Sequence, residues 1–367
     1  MDRQVAGRED AALAQLMEKF VCVRIVQGWG MDLSLFQFDL ELTWAVFFMN
    51  ADKTLYGRYG SRSERANTTN AISIEGLTKA LEAALKFHAG YPGNKKDFEG
   101  KRGPAPTWAV PEAIPDLKGK PNIRVADGSR GGCVHCHQAH DGEVWSLRAG
   151  RQPLPDALIW PYPMPSRLGL VLDPKERATV TSVEHGSPAE KGGFKPGDSI
   201  KSFGGQPILS IADVQWVLQI SKEPATIEAE VDRGGKPAKA TLALEAGWRR
   251  KDDFTWRVIV WSMRNRLLGT QPLETLSADD RRKLGVAADA LGLRIKGFSP
   301  GWVKDRNVEG QQKFKPDDVI LEVDARKALA SEGDLLGYLI QNKKPGETAE
   351  FTVLRGGKSE KVTLTIP

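Results

Sequence analysis

The chain has little cysteine and little histidine: three cysteines and five histidines in 367 residues. Three of those histidines fall within positions 135–140, and no Ser/His/Asp grouping appears, so little is left for acid–base or nucleophilic catalysis elsewhere. No stretch approaches the ~20 consecutive apolar residues that cross a bilayer, which argues against a transmembrane segment. There is no long basic run, and a net charge of +5 spread over this length leaves no nucleic-acid footprint. The first ten residues, MDRQVAGRED, are charged and lack the apolar stretch of a secretory signal, which taken alone places the chain in the cytoplasm. What is present is ordinary for a soluble globular protein, with 40% hydrophobic and 27% charged residues. At ~150 residues per domain the length fits two or three domains.

An internal repeat organises the second half. Phe194-Lys195-Pro196-Gly197-Asp198-Ser199-Ile200 recurs as Phe314-Lys315-Pro316-Asp317-Asp318-Val319-Ile320. Upstream, Leu168-Gly169-Leu170 matches Leu291-Gly292-Leu293; downstream, Val231-Asp232-Arg233-Gly234-Gly235-Lys236 matches Val353-Leu354-Arg355-Gly356-Gly357-Lys358. Three landmarks in one order at nearly constant spacing mean a duplicated domain. In each copy a Pro-Gly-Asp or Pro-Asp-Asp turn leads into an alternating strand (Ser199 to Phe203; Val319 to Val323). A helix with apolar residues three and four apart follows (Val214, Val217, Leu218; Leu335, Leu336, Leu339, Ile340), and an Arg-Gly-Gly turn then joins two strands as a hairpin. Such a unit is a small, partly open barrel.

These residues resemble the PDZ family, in the circularly permuted arrangement of bacterial periplasmic proteases and their relatives. The likeness rests on the Leu-Gly-Leu strings, the Ser187 to Ile200 segment and the groove helix. It implies that backbone N–H groups of Leu168, Gly169 and Leu170 in the first module, and of Leu291, Gly292 and Leu293 in the second, hold a peptide's terminal carboxylate while the peptide adds a strand to the sheet edge. Protein C-termini or extended peptides are then the partners. The alternative is that these are strand-start residues of a structural barrel. The second module departs from the pattern in its longer, charged Trp302 to Lys313 segment. Between the modules, Phe254 to Trp261 reads as a strand and Ser277 caps a short helix.

Residues 10 to 95 have another rhythm. Ala11 to Phe20 reads as the end of a helix, Val21 to Val26 as a strand, Trp44 to Met49 as a buried strand, Thr54 to Gly60 as its hairpin partner and Ile74 to Phe87 as an amphipathic helix. That order, from FVCVRIV to YGRYGSR, resembles the thioredoxin family in bacterial proteins that place such a domain ahead of PDZ repeats. The family's CxxC turn is not in the chain, and Thr43 stands where the family has a cis-proline, so the resemblance implies a scaffold rather than a redox catalyst. Cys22, between valines in mid-strand, reads as buried and inert. The predicted architecture is α/β plus mainly-β: a thioredoxin-like domain (1–95), a linker carrying a cysteine motif (96–158), a first PDZ-like domain (159–249) and a second with an N-terminal insert (250–367).

The chemistry lies in that linker. Residues 93 to 129 are rich in Pro, Gly and Lys, read as a surface-wrapping segment, and deliver Cys133-Val134-His135-Cys136-His137. CxxCH is the signature of c-type haem attachment. Two cysteines three apart lie on one side of a helical turn, each able to form a thioether with a haem vinyl, and His137 falls beneath the macrocycle as proximal iron ligand. Met164, on the stiff Trp160 to Pro165 stretch, is the candidate distal ligand; the alternative is that it packs against the first PDZ core. His140 sits on the same helical side as His137 and does not reach the opposite face. Alternative readings of the motif are a zinc site from Cys133, Cys136 and two of His135, His137 and His140, a dithiol cycling to a disulfide, or two buried cysteines without function. Haem attachment happens outside the cytoplasm, so this reading expects a periplasmic or otherwise extracytoplasmic protein whose upstream sequence has been lost. The sequence therefore points to a protein carrying one covalent haem c and docked by its PDZ modules, passing electrons to a redox partner or sensing redox state. The alternative is a non-catalytic PDZ scaffold whose CxxCH cluster holds zinc or a disulfide.

Overall fold

The computed structural model describes residues 10–62, 71–118, 134–326 and 329–367, grouped in two compact units. One comprises Met1–Ala139 and Trp160–Asp252, the other His140–Ile159 and Asp253–Pro367. Cys133 lies outside the described residues.

The first described element of this unit is helix α1 (Ala11–Met17), whose N-cap Asp10 accepts the Leu13 N–H at 2.8 Å. Strands β1 (Val46–Met49) and β2 (Leu55–Tyr59) then form an antiparallel hairpin, with Val46 opposite Tyr59 and Phe47 opposite Arg58. Helix α2 (Ile74–Ala89), capped by Ser73, places Leu77, Ala80, Leu81 and Ala84 against Phe48, Tyr56 and Tyr59, and Leu13 of α1 joins that core. Two expectations fail here. Val21 to Val26 is not a strand: Val21 is 95% and Val23 82% exposed, with no partner strand among the described residues to bury an alternating face. Cys22 is accordingly exposed rather than buried. The hairpin and final helix of the thioredoxin-like order are present, but the strand meant to precede them is not formed.

Helix α3 (Cys136–Ala149) starts inside the CxxCH motif. The first barrel follows: β3 (Leu170–Leu172), β4 (Val180–Val183), the short helix α4 (Pro188–Lys191), β5 (Ser199–Phe203), β6 (Gln206–Pro207), helix α5 (Ile211–Ile220), β7 (Ala225–Arg233) and β8 (Lys236–Leu244). β3 pairs with β4, while β6-β5-β7-β8 form a second sheet, linked to the first by a Thr179–Ser199 bridge. Alternation along β7 and β8 turns Ile227, Ala229, Val231, Ala240, Leu242 and Leu244 inward onto Leu170, Phe203, Val214 and Trp248.

In the second unit, helix α6 (Val258–Met263) occupies the place where a strand was expected. Periodicity cannot separate a short apolar run as strand or helix, and here Ile259, Val260 and Met263 share one buried side while Val258 and Trp261 stay exposed. Next come β9 (Leu273–Thr275), α7 (Ala278–Leu284), β10 (Leu293–Ile295), α8 (Val308–Lys313), β11 (Val319–Val323), α9 (Glu332–Asn342), β12 (Thr348–Arg355) and β13 (Lys358–Thr365). The helix expected after Ser277 is α7, with Ser277 accepting the Asp280 N–H. The sheet order is β13-β12-β11-β10-β9. Residues 140–159 pack in this unit: Arg148 donates to the carbonyls of Ile340 and Lys343, each at 2.7 Å, at the C-terminal end of α9, and to Pro367.

Candidate peptide grooves and the CxxCH segment

In the first module, the turn before β3 ends at Gly169, held at φ +78°. Its carbonyl accepts the Glu184 N–H at 2.9 Å, starting the β3–β4 ladder. A Cβ here would run into the Ser187 side chain. The glycine is therefore required by the fold itself, and not by room for a carboxylate alone. Gly169→Val is expected to destabilise the module by about 2–5 kcal/mol, from left-handed strain plus overpacking. Thermal melts read this directly, and an unchanged transition would show that Ser187 can move aside.

The leucines of the first loop and the apolar side chains of the groove helix are sealed: Leu168 is 3% exposed, and Leu170, Val214 and Leu218 are 0%. Tyr162 and Met164 pack against the same core. The Tyr162 N–H donates to Gln219 Oε1 at 2.7 Å, and its carbonyl accepts from Gln215 Nε2 at 2.8 Å, so this stretch is tied to α5. The Met164 sulfur accepts from Ser61 Oγ at 3.3 Å and Gln215 Nε2 at 3.2 Å. The structure thus places Met164 in a packing position with its sulfur taken by protein donors. The outer edge of β3 has no strand partner among the described residues.

The second module corrects the sequence reading. Gly269, at φ +71°, gives its carbonyl to the Ser299 N–H at 2.9 Å and leads into β9, which pairs with β10. Gly169 does the same with Glu184 ahead of β3, which pairs with β4. Leu268-Gly269-Thr270 is therefore the counterpart of Leu168-Gly169-Leu170. Leu291, Gly292 and Leu293 lie instead at the start of β10, the counterpart of β4. Their backbone is occupied: Leu291 N–H donates to Leu321, the Gly292 carbonyl accepts from Leu276, and Arg281 donates to the carbonyls of Ala287, Ala290 and Leu291 at 3.0, 2.9 and 2.8 Å. The space a Gly292 side chain would fill holds the Arg281 guanidinium, 2.6 Å from a built Cβ. An insertion bearing α7 separates β9 from β10, and Thr270 replaces the second leucine, so the true loop no longer spells Leu-Gly-Leu.

Around the CxxCH segment, Val134 is buried with Ile114, Leu117 and Ala139, and Trp29, Leu33, Leu40 and Trp108 pack on them. Gly28 N–H donates to the Val134 carbonyl at 2.6 Å, and Leu33 N–H to Ala109 at 2.9 Å, so two loop stretches build an apolar bed beside the motif. Burial pushes the Cys136 thiol above its ordinary pKa. Burial, with the charge of His135 beside it, pushes His137 below the usual imidazole value against an opposing pull from Glu41. The two histidine rings stack, centroids 5.6 Å apart at 11°. His140 Nε2 lies 2.8 Å from the Leu158 carbonyl. Among the described residues, no three His, Cys, Asp or Glu side chains converge as a metal site.

The family model for the PDZ domain matches residues 166–244 and 290–366. A probable periplasmic serine endoprotease DegP-like from Pseudomonas savastanoi pv. phaseolicola is 40% identical over 75 residues, which is 20% of this chain and 16% of that protein. One from Chlamydia pneumoniae is 25% identical over 155 residues, 42% of this chain and 29% of that protein. The chain thus spans less than a third of the length of these curated relatives. Among solved structures, an HtrA-type protease AlgW with decapeptide aligns over 40% of this chain and 50% of that one, at 17% identity and a TM-score of 0.22. The second match starts at residue 290, beyond the insertion that displaces β9. No helix among the described residues is long and apolar enough to cross a membrane. The chain carries tandem PDZ domains and over part of its length is similar to periplasmic DegP-like proteases.

Proposed function

We propose that this is an extracytoplasmic haem protein docked by PDZ modules, with one haem c attached through Cys133 and Cys136 and His137 as its proximal ligand. The observation that carries the reading is the set of partly buried apolar side chains, Trp29, Leu33, Leu40 and Trp108, packed on the Val134 cluster, since a macrocycle beside the motif needs apolar surface on which to lie. His137, with its pKa pushed down, offers a neutral imidazole near pH 7, the form that ligates iron. His140 turns its Nε2 to the Leu158 carbonyl, which leaves His135 and His137 as the histidines that the zinc alternative would draw on. Bound haem would supply one-electron chemistry, and the chain's part is to anchor it, ligate it and keep water from one face. The periplasmic naming of the relatives supports the same compartment. The α1–hairpin–α2 order supports reading residues 10–89 as the latter part of a thioredoxin-like unit serving as a mount. The first PDZ module takes a partner's extended segment as an added strand on the outer edge of β3.

The test is periplasmic production alongside a c-type maturation system, followed by intact-mass measurement and spectroscopy. One haem-sized addition and a Soret band that survives acid-acetone extraction are expected, both lost in Cys133→Ala/Cys136→Ala. His137→Ala should retain the mass and shift the spectrum, because attachment and ligation are separate bonds. No added mass, with stoichiometric zinc instead, would overturn the reading in favour of the metal-holding scaffold.

A further inference from the structure

A peptide that joins a PDZ module pairs with the free edge of the strand after the carboxylate loop and presents its terminal carboxylate nearby. In the second module that strand is β9, the outermost of its sheet. Leu273 stands opposite Ile295, and Ile295 gives its own N–H to Asp318 at 2.8 Å on the far side. In an antiparallel ladder such a pair does not exchange hydrogen bonds, so Leu273 turns its N–H toward the open edge. That N–H is taken by Glu332 Oε1 at 3.1 Å.

Glu332 is the first residue of α9, the helix that forms the groove's other wall. Its carboxylate is also gripped by Arg264, Nε to Oε1 and Nη2 to Oε2, both at 2.6 Å. The pair is buried, with side chains only 10% and 8% exposed. Arg264 begins the turn that ends at Gly269, so the cation sits just ahead of the loop. A side-chain carboxylate thus holds an edge amide and a fixed bidentate guanidinium, which is what a peptide terminus would seek. The first module has no such group: the residue following its helix-capping Ser210 is Ile211 where Glu332 follows Ser331.

We propose that Glu332 is a built-in competitor that occupies the second PDZ groove, closing it to free carboxyl termini and leaving the first module as the peptide-binding one. This goes beyond the proposed function and does not depend on the haem, so the two fail separately.

Removing the glutamate should leave Arg264 able to take an external carboxylate. The melting temperature of the Glu332→Ala chain should rise with added sodium acetate well above its response to sodium chloride at equal ionic strength, while wild type shows no such difference. The Glu332→Ile chain, which copies the first module, should bind decapeptides with apolar free carboxyl ends at two sites per chain against one in wild type. Their C-terminally amidated versions should lose the second site by tenfold or more. Two sites in wild type, or a folded Glu332→Ala chain indifferent to acetate, would overturn the proposal. Should both variants fail to fold, hydrogen exchange of wild type decides: the Leu273 amide must be protected, and free exchange there would end the proposal.

Discussion

Replacing Lys101 by alanine is expected to destabilise the first unit by about 3–5 kcal/mol, because it breaks a buried ion pair and leaves its partner behind. Lys101 and Asp213 are both 0% exposed in their side chains, with Nζ 3.1 Å from Oδ2. The lysine also donates to the Pro207 carbonyl, and the aspartate accepts the N–H groups of Leu209 at 2.9 Å and Arg58 at 3.2 Å. At about 2–4 °C per kcal/mol for a unit of this size, the melting temperature should fall by about 6–20 °C. Lys101→Met keeps most of the volume and should still be costly, whereas adding Asp213→Asn should recover part of the loss by removing the unpaired buried charge. A pH titration gives a second reading. Burial pulls the Lys101 pKa down to about 8 against the attraction of Asp213, while an unfolded lysine holds its proton to about 10.4. Between those values the unfolded state binds the extra proton, so wild type should gain stability relative to Lys101→Met as pH rises from about 8 to about 10. A flat difference across that window would show that the lysine keeps its charge.

The duplicated turn aspartates should give the other large effect, and give it in each unit separately. Asp198, fully buried, accepts Arg233 Nε and Nη2 at 2.7 Å each and the Lys195 N–H at 2.9 Å. Asp318 repeats the arrangement with Arg355 at 2.8 and 2.6 Å and the Lys315 N–H at 2.8 Å. Each brace ties the turn before one strand, β5 or β11, to the hairpin that follows, β7–β8 or β12–β13. Asp198→Ala or Asp318→Ala should cost about 2–4 kcal/mol, below the figure for a sealed pair because the arginine can turn toward water. Calorimetry should show Asp198→Ala lowering one transition and Asp318→Ala the other, each by about 4–16 °C. For Asp198 burial alone would raise the carboxyl pKa, but the Arg233 and Lys195 hydrogen bonds and the Arg233 charge overcome it and hold it below the usual value. That contribution is therefore full above about pH 4 and is lost as pH falls through the folded value. Equal loss in both transitions from one substitution would contradict independent braces.

The repeat was legible because its landmarks are backbone necessities: the Pro-Gly-Asp turn, the Arg-Gly-Gly hairpin and the apolar spacing of α5 and α9 leave marks that survive divergence. The second carboxylate loop was misread for the same reason in reverse. Leu291-Gly292-Leu293 copies the letters of the first loop, yet in β10 its glycine makes room for Arg281. Strand and helix were confused at Val258 to Trp261 because four apolar residues in a row carry no period. Val21 to Val26 alternates like a strand, but alternation is realised only where another strand supplies the partner. Glu332 was invisible because one acidic residue after a serine reads as an ordinary helix cap. The signal that could have found it lies in the repeat, where Glu332 aligns with Ile211. The bed around Val134 was missed because Trp29, Leu33, Leu40 and Trp108 are gathered from loops with no periodicity to announce them.

The packing of residues 140–159 in the second unit sets an order on assembly. Arg148 is synthesised 192 positions ahead of Ile340, whose carbonyl it serves, so that stretch must wait for nearly the whole remaining chain to emerge before its contacts exist. Closing so long a loop costs entropy that nearby contacts do not. The first PDZ module, complete once residue 252 has been made, can form during that wait. Dissection follows the same logic: a fragment cut at residue 253 would leave the carbonyls of Ile340 and Lys343 without the guanidinium that serves them, so a clean excision of the second module has to carry residues 140–159 with it.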